Sequence, residues 1–331
     1  MAAPGVSVLD GSSWDDIATS TMRKRSKSVS KIFDKSTALF DELSKKGRKK
    51  EFGGGRSLVR ELSFQSNNTV KRYSGYESLN ISPSPHLTAA EFTTKQAAVA
   101  VSASGLELYT NDGPSKVIDL LESRIENAER SLVLMLAADA YSDGTADGGR
   151  QLQGLAALVS DTGLGTIGGI DSNTYSVWRN KFFQTSANAL GAMSATNIQT
   201  AMNRLYLSLC MGADKPDVII ADIGAYGFYL ASLQAIQRVT KEDDAQAGFE
   251  RLRYMGTNVI LDGGVATANP NTNKIYMLNS KHIDYRVVKG RDFEPLNPTR
   301  YVSNQDAMVK LMVWAGMTTM SDRRMHGVLF S

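Results

Sequence analysis

The first 72 residues differ in charge from the rest of the chain, and this asymmetry constrains the fold more than any motif. They hold 15 Lys/Arg against 8 Asp/Glu, a net of +7, while residues 73–331 hold 22 against 26, a net of −4, within a total of +3. A basic, apolar-poor lead segment on a slightly acidic body reads as an arm that binds something outside its own domain, or else as a disordered tail. Local patterns favour the arm. Between Ser30 and Gly47, Ile32, Phe33, Leu39, Phe40 and Leu43 fall on one helical face, with Asp34 near the start, Lys45 and Lys46 near the end, and Gly47 as a stop. A helix this short is marginal alone in water, so its stripe calls for a partner surface. A membrane-surface helix would want a longer stripe.

Beyond Gly53-Gly54-Gly55 the period changes to two. Leu58, Leu62 and Phe64 alternate with polar residues, Ser66-Asn67-Asn68-Thr69 suits a turn, and Val70, Tyr73 and Tyr76 follow, which predicts a hairpin. An isolated two-stranded hairpin is barely stable, so it too would lie on a neighbour. The cluster Arg23-Lys24-Arg25-Ser26-Lys27 is the best candidate for phosphate contact; an acidic protein neighbour or plain solvation would suit it equally.

At 331 residues and 42% hydrophobic content the chain can bury one large core or two modest ones. No apolar run approaches the roughly 20 residues of a membrane span. Met1 to Asp10 carries no secretory pattern, and the one cysteine, Cys210, fits a reducing cytoplasm and a packing role beside Leu205, Leu207 and Leu209. Ser82 to Pro85 reads as a connector and Glu91 to Leu106 as a strand or strand pair. Gly113-Pro114-Ser115 opens the clearest helix, running to about Tyr141 on Val117, Leu121, Ile125, Ala128, Leu132 and Met135. Asp143 to Gly169 is glycine-rich. Helices are expected from Asp171 through Tyr175, Trp178 and Phe182, over Asn197–Cys210, and through Tyr226, Tyr229, Leu230, Leu233 and Ile236. Strands are expected at Val218–Ile220, Asn258–Leu261, Lys274–Leu278, Ile283–Val288 and Tyr301–Val313. Mixed helix and strand without βαβ alternation predicts an α+β fold.

Catalytic chemistry finds no support in the spacing. Gly163-Leu164-Gly165-Thr166-Ile167-Gly168 matches a dinucleotide fingerprint but is followed by Gly169-Ile170-Asp171 instead of a helix, so it reads as a glycine loop. His86, His282 and His326 are isolated, and Asp139, Asp143 and Asp147 lack the alternation of a calcium loop. We expect no catalytic residue, no metal and no cofactor.

Several strings in order then resemble one family. Tyr73-Ser74-Gly75-Tyr76, Leu87-Thr88-Ala89-Ala90-Glu91-Phe92, Tyr175-Ser176-Val177-Trp178-Arg179-Asn180, Gln246-Ala247-Gly248-Phe249 and the tail from Ser303 through Trp314-Ala315-Gly316 and Arg323-Arg324 to Leu329 resemble major capsid proteins of tailed double-stranded DNA bacteriophages, most nearly those of the short-tailed group. The resemblance implies the Hong Kong 97-type fold. Its parts would be an N-terminal arm (1–47), an E-loop (48–80), a peripheral domain (81–148 and 280–331) with a long spine helix at 114–141, and an axial domain (149–279). It implies a subunit that self-assembles as hexamers and pentamers into an icosahedral virion shell around DNA, built in the host cytoplasm with a separate scaffolding protein, a portal and a cement or decoration protein, without a membrane. Subunit contacts would fall on Leu58, Val59, Leu62, Phe64, Tyr73 and Tyr76 of the E-loop and on Ile32, Phe33, Leu39, Phe40 and Leu43 of the arm. Arg23, Lys24, Arg25 and Lys27 would meet DNA or an acidic neighbour. An encapsulin shell of the same fold and a non-assembling nucleic-acid-binding protein are the alternatives.

Overall fold

The lead segment folds as two helices, α1 (Gly11–Ser36) and α2 (Ala38–Lys45), where one was expected over residues 30–47. Thr37 divides them: its backbone is extended at φ −130°, and its hydroxyl accepts a hydrogen bond from the Phe40 amide at 3.3 Å, capping α2. The computed structural model describes the chain apart from residues 1–10, 64–68, 83–86, 105, 108–113, 235–251, 264–272 and 302–306.

These helices are sealed onto the chain's own body. Met22, Val29 and Phe33 of α1 and Leu39, Phe40 and Leu43 of α2 are all buried. The Phe33 ring lies 5.0 Å from Phe40, 5.5 Å from Phe293 and 6.2 Å from Trp314, and Tyr285 sits 4.7 Å from Phe40 and stacks on Trp314. The expectation that this stripe meets another subunit is therefore corrected for Phe33, Leu39, Phe40 and Leu43. An apolar helix face and an apolar sheet face within reach of one another bury each other first, and tilted aromatic pairs add to the area term. Ile32 points away and stays 59% exposed.

The sheet they cover has five strands: β1 (Lys49–Phe52), β4 (Lys95–Ser104), β12 (Ile283–Val288), β13 (Glu294–Tyr301) and β14 (Ala307–Met320). β14 organises it, with β4 antiparallel along Ala307–Gly316, β13 along Met308–Val313 and β12 along Gly316–Met320. The single strand expected over Tyr301–Val313 is thus the junction of two. Gly316 is required by close approach: a Cβ there would lie 2.6 Å from the Trp314 ring and 2.8 Å from the Arg286 carbonyl. The long helix is present as α3 (Pro114–Asp139), about 39 Å at the standard rise per residue. Its Ile125, Leu132 and Leu136 are buried, and it packs against both β4 and α1.

A second sheet of six strands runs in the order β7 (Lys181–Gln184), β15 (Gly327–Phe330), β11 (Ile275–Leu278), β8 (Val218–Ala221), β10 (Thr257–Leu261), β9 (Leu252–Tyr254). The helices α4 (Ile198–Leu209) and α5 (Ile223–Gln234) pack with it around a separate cluster that includes Leu205, Ile219, Tyr229 and Met277. Two expectations change here. The helix through Tyr175, Trp178 and Phe182 is a single 3-10 turn, Ser176–Trp178, followed by β7. Trp178 is drawn inward, its Nε1 donating to the Ile167 carbonyl at 3.0 Å, and Phe182 pairs with Val328. The closing strand β15, expected in the first sheet's part of the chain, joins the second.

A small ribbon, β2 (Ser57–Ser63) with β3 (Leu87–Thr93), and a minimal hairpin, β5 (Thr166–Ile167) with β6 (Ile170–Asp171), complete the described strands. The turn between the sheets is held by Arg323, fully buried without a carboxylate. It donates to the carbonyls of Leu158 and Trp178, to Ser172 Oγ and to Asn180 Oδ1, all within 3.1 Å. Burial lowers its pKa to about 10, and these neutral acceptors compensate for the lost water.

His326 begins β15's approach and is also fully buried, its Nδ1 accepting from the Asn279 amide at 3.4 Å. Burial first, then the charge of His282, pushes its pKa down from 6.5 to about 3. The unfolded chain binds the proton below pH 6.5 and the folded chain does not, so stability present above that pH drains away as pH falls towards 3. Between pH 6.5 and 5, where most carboxylates remain charged, this should remove about 2 kcal/mol. Thermal denaturation across that window should show the decline, and a His326→Gln variant should show a flatter one.

Candidate assembly surfaces

The ribbon β2–β3 has two unlike faces because period-two side chains alternate across it. Leu62, Ala90 and Phe92 are buried and Leu58 partly so, whereas Val59 is 59% exposed and Glu61 and Glu91 face solvent with it. The expected return strand at Val70, Tyr73 and Tyr76 is corrected: the strand paired with β2 is Leu87–Thr93, in register from Ser57↔Thr93 to Ser63↔Leu87. The strings on either side explain this. Leu87 to Thr93 holds neither Gly nor Pro and turns Thr88, Ala90 and Phe92 inward, whereas residues 70–82 hold Gly75 and Pro83 follows at once.

Two contacts fix the ribbon to the body. In the first, Arg60 Nη2 of β2 reaches Asp284 Oδ2 on β12 at 2.9 Å. Asp284 is 1% exposed and is also approached by Lys50 and Arg286 at 3.2 Å and by Arg48 at 3.8 Å. One buried carboxylate thus holds four cations from three strands or their flanks, and the Nε groups of Arg48, Arg60 and Arg286 are buried without an acceptor. In the second, the Glu91 amide donates to the Gly168 carbonyl at 2.9 Å. Gly168 stands at φ +61°, and a Cβ on it would come within 2.8 Å of Ala90 Cβ, so glycine lets the minimal hairpin abut β3. The glycine run read as a dinucleotide-like string therefore serves as a turn and a packing contact.

Between the described ends of the ribbon, residues 69–82 have no regular structure, and those from Val70 on are all exposed. Val70 (83%), Tyr73 (64%), Tyr76 (109%), Leu79 (48%) and Ile81 (92%) present large apolar side chains to solvent. An ion pair of 2.8 Å, Lys71 with Glu77, spans the stretch. This strap gathers five of the exposed large apolar side chains of the described residues into one stretch of 13. Sequence reasoning named Tyr73 and Tyr76 as contacts and placed Val70 in the same hairpin, but missed Leu79 and Ile81. Their signal was apolar residues spaced without helical or strand period in a segment bounded by turn formers. Phe64 lies outside the described residues.

The basic cluster divides. Arg25 turns inward to α3, its Nη and Nε groups meeting Glu122 at 3.3 Å, Glu126 at 3.0 Å and Glu129 at 3.0 Å. Burial pushes the Glu129 carboxyl up against the opposing pull of Arg25. The acidic neighbour expected for this cluster is therefore, for Arg25, the chain's own long helix. Arg23 and Lys27 are exposed, and the side chain of Lys24 lies outside the described residues. Among the described residues no group of three or more His, Cys, Asp or Glu side chains gathers as a metal site, and Cys210 is a half-buried free thiol.

No family model and no curated protein matches this sequence. Solved structures do match the fold. The capsid asymmetric unit of cyanophage A-1(L) superposes with a TM-score of 0.61 at 15% identity, over 85% of this chain and 89% of that one. The capsid of the native GTA particle superposes at 0.53 and 15% identity, over 87% and 89%. The capsid of the Myoviridae phage XM1 does so at 0.52 and 10% identity, over 84% and 87%. The chain has the α+β fold of these capsid subunits, the Hong Kong 97 type that the sequence resemblance implied.

Removing the buried carboxylate should free the ribbon. Asp284→Ala leaves Arg48, Lys50, Arg60 and Arg286 without an anion and should cost on the order of 3 kcal/mol in chemical denaturation. Hydrogen exchange should quicken in Ser57–Ser63 more than in β11.

Proposed function

We propose that this chain is the structural subunit of an icosahedral shell enclosing double-stranded DNA, a major capsid protein that assembles as hexamers and pentamers. Likeness to three capsid structures over 84% or more of the chain supports the shell role. The observation that carries the assembly mechanism is the bare strap at 70–82. Fully covering one large apolar side chain is worth about 1.5–3 kcal/mol, so its five large apolar residues hold about 7–15 kcal/mol of gross attraction that the single chain does not use. Association costs consume part of this, but the same contact repeated around a closed array sums through multivalency. The partner is a second copy: a contact between unlike patches of identical chains closes into rings when its rotation permits.

On this reading the ribbon and strap act as the E-loop, the five-stranded sheet with α3 as the peripheral domain, and the six-stranded sheet with α4 and α5 as the axial domain. The arm braces its own subunit, and the intersubunit contacts move to Val59, Tyr73 and Tyr76 with Val70, Leu79 and Ile81. A separate scaffolding protein and a portal complete the particle, which is assembled in the host cytoplasm; the reading leaves the presence of a cement or decoration protein open.

Expression alone and with a scaffold, followed by negative-stain imaging, tests the proposal. Wild-type chain should give closed shells. Val70→Ser/Tyr73→Ser/Tyr76→Ser/Ile81→Ser should give capsomers or monomers with an unchanged melting temperature, since these side chains bury little within the subunit. Equal shell yield from the variant would refute the mechanism, and a wild-type chain that stays monomeric at high concentration would refute the shell itself.

A further inference from the structure

Helix α1 is divided lengthwise by charge as well as by polarity. Met22, Ser26, Val29 and Phe33 are buried on one side. The opposite side carries Arg23, Lys27, Lys31 and Lys35, each exposed and each four residues from the next. Four residues advance a helix by about 6 Å and turn it by roughly 40° beyond a full circle, so the four cations form a gently winding row about 18 Å long. At 100° per residue Lys31 lies nearly opposite Phe33's buried neighbours, at the crest of the outward face. Asp34 stands at the flank of that face between Arg23 and Lys27 in angle, but it is held at 2.9 Å by Lys49 and not by the row; the side chains of Asp15 and Asp16, earlier in α1, lie outside the described residues. Among the described residues none of the four cations forms an ion pair.

A merely solvated helix face is usually mixed in sign, because opposite charges four apart stabilise it and like charges destabilise it. Here three consecutive pairs, 23–27, 27–31 and 31–35, are all repulsive, in a chain whose long helix places Glu122, Glu126 and Glu129 at the same kind of spacing and neutralises them with Arg25. The acidic row is answered within the chain and the basic row is left open. A regular row of cations, without aromatic side chains or a groove to read bases, matches a regular polyanion in charge and chemistry.

We propose that Arg23, Lys27, Lys31 and Lys35 form a docking row for the phosphate backbone of double-stranded DNA, binding without regard to sequence. This rests on the shell reading above and assigns its cargo contact to one face of α1. Arg25, the central residue of the basic cluster, is excluded from the row and serves as the clasp between α1 and α3.

The test measures binding of a 30-base-pair duplex to the full-length chain by fluorescence anisotropy across a salt series. Each phosphate neutralised contributes about −0.9 to the slope of log affinity against log salt, so Arg23→Gln/Lys27→Gln/Lys31→Gln/Lys35→Gln should flatten the slope by about 3.6. Near 0.1 M salt the affinity should fall on the order of 10³-fold. The milder Lys27→Gln/Lys31→Gln should flatten it by about 1.8, and Lys27→Arg/Lys31→Arg should leave it unchanged. A slope that moves by less than about 0.9 in the quadruple variant overturns the proposal, as does retained duplex binding with lost affinity for polyglutamate, which would assign the row to an acidic protein. Negative-stain imaging of the same samples separates the two readings. Shells that form without binding DNA retain the shell role and refute the row, whereas wild-type chain that binds DNA but never forms shells refutes the shell role alone.

Discussion

The packing of Phe33 and Phe40 against Tyr285, Phe293 and Trp314 is the interaction on which the rest of the architecture depends. It joins residues some 250 positions apart and converts a basic, apolar-poor lead segment into a permanent wall of the body. Once α1 and α2 lie on the five-stranded sheet, one face of α1 is committed inward and the other outward. The sheet's far side is then free to receive the ribbon. Gly316 belongs to the same arrangement, since only a residue without a Cβ allows the Trp314 ring to lie flat over its own strand and beside β12.

Around that core the chain uses buried charge in two contrasting ways. Arg323 is a cation held by neutral acceptors alone, a geometry that is costly in desolvation but demanding in direction, and so fixes the turn between the sheets. Asp284 is the reverse case, an anion shared by more cations than it can satisfy. The surplus positive charge makes the attachment of β2 depend on a single carboxylate, whereas the backbone bond from Glu91 to Gly168 holds β3 by a contact that no substitution at 91 other than proline removes. The two strands of one ribbon are thus anchored by unlike physics.

Elements dominated by a single period were legible in the sequence, and those decided by long-range pairing were not. The long helix was readable because Ile125, Ala128, Leu132 and their neighbours repeat over seven turns, and β8 and β11 because Val218–Ala221 and Ile275–Leu278 are unbroken apolar runs. The ribbon's first strand was legible, but its partner was misassigned to Val70–Tyr76, since proximity favours a near hairpin and Ala89-Ala90 breaks the period of two in the true partner, Leu87–Thr93. Trp178 looked helical from its spacing with Tyr175 and Phe182, yet its indole is claimed by the Ile167 carbonyl. The arm's stripe was read correctly as wanting a partner. Which partner depended on Tyr285, Phe293 and Trp314 converging from the other end of the chain, and no local pattern carries that information.

The same logic distinguishes this apolar strap from an exposed edge strand. An exposed edge strand would offer a row of unpaired amides and carbonyls to any other strand, a template that accepts partners indiscriminately. Residues 70–82 instead have no strand geometry, and Gly75, the Lys71–Glu77 ion pair and the following Pro83 interrupt any extended run. What remains is attraction without a generic template: large apolar side chains that gain only from a surface shaped for them. The strap is continuous in sequence with a ribbon anchored at two points, and its large apolar side chains are exposed. On the proposed shell reading, a second copy would present the same surface at the same relative position every time, and closure of the array would then select the docking that each single contact is too weak to select alone.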